Sequence, residues 1–205
     1  MHKRVAGLLA AGVMALSAVA AAVPASAAPA PWTITPGGPA NGTAGTTILT
    51  VRDSSGSDLQ MSCASSTAGV VLERGTVPGP KLATIPETGG IAFQNCILAG
   101  LITFDVTQVG DWTINGVSYD GTNVTNGTID GINALVIGPG CNATVAGSVK
   151  GTYTNSTDVL ATVPDFTLSV TRVDAVDDCL GLLHVGDTAA FNGAYSVTPD
   201  QTITG

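Results

Sequence analysis

The chain is short of the groups that do chemistry. Only 11% of its 205 residues are charged, 4% are aromatic, and two are histidines. Seven Lys and Arg stand against fifteen Asp and Glu. Nucleic acid is therefore not an expected partner, because binding it depends on clustered Lys and Arg that neutralise phosphates. An anionic membrane surface is disfavoured on the same ground. No Gly-x-Gly-x-x-Gly or Walker pattern cradles a phosphate, and no Gly-x-Ser-x-Gly elbow presents a serine nucleophile. No Cys-x-x-Cys spacing suggests zinc.

The ionisable residues that remain are scattered. His184, within Leu182-Leu183-His184-Val185, is the one histidine beyond the N-terminal leader. Flanked by aliphatics, it reads as a packed or rim residue rather than a general base. Glu73 and Glu87 are the only glutamates, each beside a turn, which disfavours the paired carboxylates of glycoside hydrolysis. Asp174, Asp177 and Asp178, with Asp187 further on, form an acidic cluster whose hard oxygens suit calcium; a solvated turn before Cys179 is the other reading. No catalytic, cofactor-binding or metal-ligating residue is assigned.

The N-terminus has a definite character. His2, Lys3 and Arg4 precede an apolar run from Val5 to Val23, and Ala25-Ser26-Ala27 is a small-x-small site. This predicts a secretory signal peptide over 1–27, cleaved after Ala27, with no membrane span left afterwards and an extracellular product. Losing Lys3 and Arg4 takes the formal charge from −8 to −10, so thinly charged a surface must consist mainly of Thr, Ser, Asn and Gly.

What fills the remainder, 28–205, is β-strand pattern. From Cys141 to Thr154, the odd positions Cys141, Ala143, Val145, Gly147, Val149, Gly151 and Tyr153 are apolar or small, while the even positions Asn142, Thr144, Ser148, Lys150 and Thr152 are polar, apart from Ala146. A period of two predicts a strand with one face on a core and the other in water. Similar alternation occurs at Leu59–Cys63, Leu101–Val106, Phe166–Thr171 and Ala189–Thr198, and Gly, Pro and Asn turns separate about ten such runs. No window beyond the leader shows a capped helical period. The expected fold is all-β, one domain, an antiparallel β-sandwich or closed β-barrel. A transmembrane barrel shares the alternation but calls for aromatic girdles that are missing here.

A degenerate duplication is expected over about 32–110 and 111–205. Trp32-Thr-Ile-Thr matches Trp112-Thr-Ile-Asn, and Cys63, Ala68-Gly69 and Val71 match Cys141, Ala146-Gly147 and Val149 at an offset of 78. Placing one cysteine pair in each half predicts disulfides Cys63–Cys96 and Cys141–Cys179, formed in an oxidising compartment. Apolar stretches follow the second cysteine of each pair, Cys96-Ile-Leu-Ala-Gly-Leu-Ile and Cys179-Leu-Gly-Leu-Leu-His-Val. They are either buried strands or an exposed apolar face or cavity mouth. Trp112 and Tyr119 are the candidate ligand contacts, with Trp112 as a plain core anchor the competing assignment.

The arrangement Phe93-x-x-Cys96, Trp112, Gly116-Val117, Cys141-x-x-x-Val145-x-Gly147, Leu168-Ser169, Cys179 and Pro199-x-x-Thr202-Ile203 resembles small secreted bacterial proteins described as activators of alkane oxidation. The resemblance implies a non-enzymatic extracellular protein at cell surfaces or hydrophobic interfaces, and it transfers no catalytic residue. The expected function is a secreted, non-enzymatic binding or surface-interaction protein for an apolar, glycan or protein-surface partner. An extracellular hydrolase and a structural component of a matrix or coat are the alternatives.

Overall fold

The computed structural model describes residues 31–205; the signal peptide over 1–27 and its cleavage after Ala27 lie outside the described residues. In chain order the first strands are β1 (Trp32–Thr35), β2 (Gly38–Ala44), β3 (Thr47–Arg52), β4 (Asp58–Leu72), β5 (Gly75–Val77), β6 (Lys81–Ile85), β7 (Ile91–Leu98) and β8 (Ile102–Gln108). They continue as β9 (Trp112–Tyr119), β10 (Val124–Gly138), β11 (Cys141–Thr154), β12 (Val159–Val163), β13 (Leu168–Asp178), β14 (Thr188–Asn192), β15 (Ala194–Thr198) and β16 (Thr202–Thr204). Helical geometry among the described residues is confined to a 3-10 turn at Cys179–Gly181.

Thirteen strands share one antiparallel sheet. Ala44 faces Ser66 and Thr47 faces Cys63, so β2 and β3 lie end to end along one edge of β4. In the same way β6 and β7 lie along the other edge of β4, β8 and β9 along β10, and β12 and β13 along β11. β6 pairs with β9, β7 with β8, and β10 with β11. Finally β14 and β15 pair with β13 and β12 on one side and with β3 and β2 on the other. Counting each end-to-end pair as one stave, with β4, β10 and β11 as the unbroken ones, the ladder is a ring of eight staves. Their order round the ring is their order along the chain. Of the two architectures expected from sequence, the hydrogen bonding is that of a closed up-and-down barrel.

Each break in a stave has a local cause. The gaps contain Gly45, Pro86, Gly110, Pro164 and Gly193 in turn. Proline offers no amide to a ladder, and glycine weakens a strand interior. Gln108, almost fully buried, bridges two of the gaps: its Nε2 donates to Ile85 O at 2.9 Å and Gly110 O at 2.8 Å, and its Oε1 accepts from Ile91 N at 2.9 Å. Backbone groups stranded by the breaks are thereby paired. In the unbroken β10, Gly131 at φ +72° sits where the register to β11 shifts, between Ile129 and Ile132.

The barrel has two distinct ends. Turns 53–57, 99–101 and 139–140 and the loop 179–187 gather at one, beside the Cys141–Cys179 disulfide. At the other, β16, β1 and β5 form a small antiparallel sheet in which Ile34 pairs with Ile203 and Gly75. The disulfides join Cys63 to Cys96, directly opposed on β4 and β7, and Cys141 to Cys179. This is the pairing expected from sequence. Cys63 and Cys141 occupy the second and sixth staves, half a circuit apart. Trp32 and Trp112, matched in the duplication expected from sequence, lie in different settings: β1 of the small sheet and β9 of the barrel wall.

Inside and outside are sharply partitioned. The main core cluster includes Val51, Met61, Ile85, Trp112, Val136, Val145 and Val170, all pointing inward from different staves. Outward positions such as Asn41, Thr43, Ser196 and Thr198 are exposed and polar. A membrane barrel turns its apolar side chains outward, so this arrangement is its inverse.

Candidate functional site

An eight-strand barrel leaves an interior that side chains just fill or that holds one small ligand. Here they do not quite fill it. A central cavity of about 90 Å³ lies between Leu49, Phe93, Val106, Trp112, Leu168 and Phe191. A second of about 60 Å³ runs toward the small sheet and shares Val70, Ile114 and Leu160 with the first. A third of about 40 Å³ runs toward the disulfide end and shares Leu49, Met61 and Val145 with the first. Because neighbours have common walls, the three stand in a row from one end to the other.

The walls carry no charged residue in any of the three. A buried water needs two to four polar partners, so a row with such walls is dry and open to apolar matter. The polar side chains around it are mostly occupied. Ser66 Oγ donates to Tyr195 Oη at 2.8 Å, and burial pushes the Tyr195 phenol up to about 12. Tyr153 Oη lies 2.8 Å from Asp158 Oδ1 and 3.0 Å from Gln201 O, and burial followed by the Asp158 bond raises its pKa well above the ordinary phenol. Two atoms of residues around the central cavity, Thr47 Oγ1 and Trp112 Nε1, are buried without a hydrogen-bond partner.

Trp112 and Tyr119 are not brought together. Both belong to β9, but Trp112 is buried at the central cavity, whereas Tyr119 is half-buried near the small sheet and packs on the second core cluster of Trp32, Ile34 and Leu72. Trp112 is thus core anchor and cavity wall at once.

The remaining sequence candidates lie at the disulfide end, outside the barrel interior. His184 is largely exposed, its Nδ1 3.8 Å from Asp187 Oδ2, and that buried carboxylate already accepts from His184 N at 2.7 Å. Asp174 accepts from Val176 N, Asp177 N and Arg172 Nη2, and the backbone bonds hold its carboxyl below the usual range. It closes a bulge in β13, where the register to β11 shifts, and no three His, Cys, Asp or Glu among the described residues converge as ligands would. The apolar stretches after Cys96 and Cys179 divide: Leu98 is buried and Leu183 half-buried, while Leu101, Leu180 and Leu182 are exposed. The buried-strand reading holds for part of the first stretch, in β7 and β8, whereas the second is a loop, to which the exposed-face or cavity-mouth reading applies.

The cavities themselves were invisible to sequence reasoning. The nearest signal was the run of inward Val, Ile and Leu positions on every stave, which marks an apolar interior without saying whether it is full. No family model, curated protein or solved structure matches the chain.

Proposed function

We propose that the protein is exported and works, without catalysis, as a barrel that takes up a slender, uncharged apolar molecule in its interior. The observation that carries this reading is the row of three cavities with apolar walls. Together they exceed the cavity of about 150 Å³ that suffices to bind benzene. No Asp, Glu, Lys, Arg, His or free Cys lines the row, so a molecule held there is recognised chiefly by shape and apolar contact. That favours binding over an extracellular hydrolase. Two disulfides favour an oxidising compartment, in keeping with the leader sequence.

The test uses the oxidised mature chain and N-phenyl-1-naphthylamine, a neutral dye that brightens in apolar surroundings. Saturable one-to-one binding is expected, with displacement by linear primary alcohols that improves as the chain lengthens. Ala134→Phe, which fills the central cavity from β10, should abolish binding while the far-ultraviolet spectrum stays that of a β protein. Absence of saturable binding by the wild type, or unchanged binding in a folded Ala134→Phe variant, overturns the reading.

A further inference from the structure

The row of cavities has two ends, and they are closed by different means. Toward the small sheet, the closing residues are buried and hydrogen bonded. Gln201 is 1% exposed, its Oε1 accepts from Gly37 N at 3.0 Å, and its carbonyl faces Tyr153 Oη. Ile203 N donates to Asn155 Oδ1 at 2.8 Å. Moving any of these strips buried polar groups of their partners, which is costly.

At the disulfide end the closing residues belong to a loop. Leu180, Leu182 and Leu183 line the last cavity, yet Leu180 is 65% and Leu182 48% exposed. One side chain therefore touches the interior and solvent together. The loop is tied down at its two ends, where Cys179 N donates to Gly140 O and Gly186 N to Val170 O, both at 2.9 Å. Between those anchors it is held by apolar side chains against the barrel and by one polar side chain, the buried Asp187 carboxylate, which accepts from His184 N at 2.7 Å. Its start is also strained: Cys179 at φ +58° and Leu180 at φ +57° hold the left-handed conformation that branched L residues adopt at a cost. Lifting the loop thus breaks apolar contacts and the bond from His184 N to the Asp187 carboxylate, fewer polar contacts than hold the opposite end, and the Cys141–Cys179 bond keeps it attached to β11 throughout.

We infer that segment 179–186 is a lid over the row of cavities, and that an uncharged apolar ligand enters and leaves by its displacement at the disulfide end. This inference rests on the binding function proposed above. Leu183, packed against both the main core and the Cys141–Cys179 cluster, is the plug. Cys179 and Gly186, the latter at φ +99°, are the hinges.

Stopped-flow mixing of the oxidised mature chain with N-phenyl-1-naphthylamine tests this. Leu180→Gly removes a lid side chain and suits the left-handed backbone, so it does not endanger folding; Leu182→Ser is the second lid variant. Asn155→Ala, at a residue that lines none of the three cavities, loosens the opposite end by removing the bond to Ile203 N. The expected result is that both lid variants raise the association and dissociation rates several-fold together, with little change in Kd, while Asn155→Ala leaves both rates as in the wild type. Rates unmoved by the lid variants, or raised by Asn155→Ala instead, overturn the lid and leave the binding barrel standing. A wild type that binds no dye overturns both.

Discussion

The two ends of the barrel solve the same problem with different physics. The small-sheet end is closed by packing and hydrogen bonds: Trp32 lies flat against glycine backbone, such that a methyl on Gly116 would fall 2.5 Å from its Cε2. The disulfide end is closed by a covalent tether and a loop whose leucines face water. Local stability follows buried contact and satisfied backbone bonds. The first end should therefore behave as part of the global fold, and the second as a separable unit.

The sharpest way to break that contrast is to truncate Trp32, which is 6% exposed. Trp32→Ala should lower the urea unfolding free energy by about 3–5 kcal/mol, the range for large core aromatics. A loss no larger than that of a surface change would show the small sheet to be an appendage. Next in size is the tether. Replacing Cys141 and Cys179 together by Ser should cost about 3–4 kcal/mol on the chain-entropy account. It should also speed hydrogen exchange across 179–186 more than across 120–123, and equal acceleration at both ends would erase the difference argued here.

The smallest effect is on pH. Tyr153 at the small-sheet end and Tyr195 at the waist both have raised pKa values, Tyr195 to about 12. A raised folded-state pKa means that the stability each contributes is whole below the unfolded value of about 10 and is lost as pH climbs through the folded value. Unfolding free energy should thus decline between pH 10 and about 12, and less steeply in Tyr195→Phe. Tyr153→Phe should flatten the alkaline loss at the small-sheet end while leaving 179–186 exchanging as before.

Sequence reading reached the local layer of this molecule and stopped at the global one. The alternation from Cys141 to Thr154 is reproduced at every odd position but one: Cys141, Ala143, Val145, Val149, Gly151 and Tyr153 are buried, whereas Gly147, opposite the irregularity in β10, is exposed. Both cysteine pairs also emerged from spacing. By contrast, β4 reads as two short runs because Ser65, Ser66 and Thr67 interrupt its apolar pattern, yet Ser66 is fully buried against Tyr195, a partner 129 residues away. The choice between sandwich and barrel depended on β14 with β3 and β15 with β2, and pairings of that range leave no local mark. β5 and β16, three residues each, are too short to show a period. The cavities are differences between side-chain volumes and the space the staves enclose, a quantity no single residue carries. Leu180 stayed undecided between buried strand and exposed face, because apolar neighbours in sequence do not say that the chain leaves the wall at Cys179 in a left-handed turn.

Closure of the ring has a consequence for how the molecule comes into being. Since neighbours in space are neighbours in sequence everywhere except at the seam, most of the wall can assemble locally as the polypeptide emerges. The seam joins the earliest stave to the latest, so until the final segment arrives the growing curl keeps two raw borders and an oily lumen facing water. Folding is then a race between zipping that seam and sticking to a neighbour.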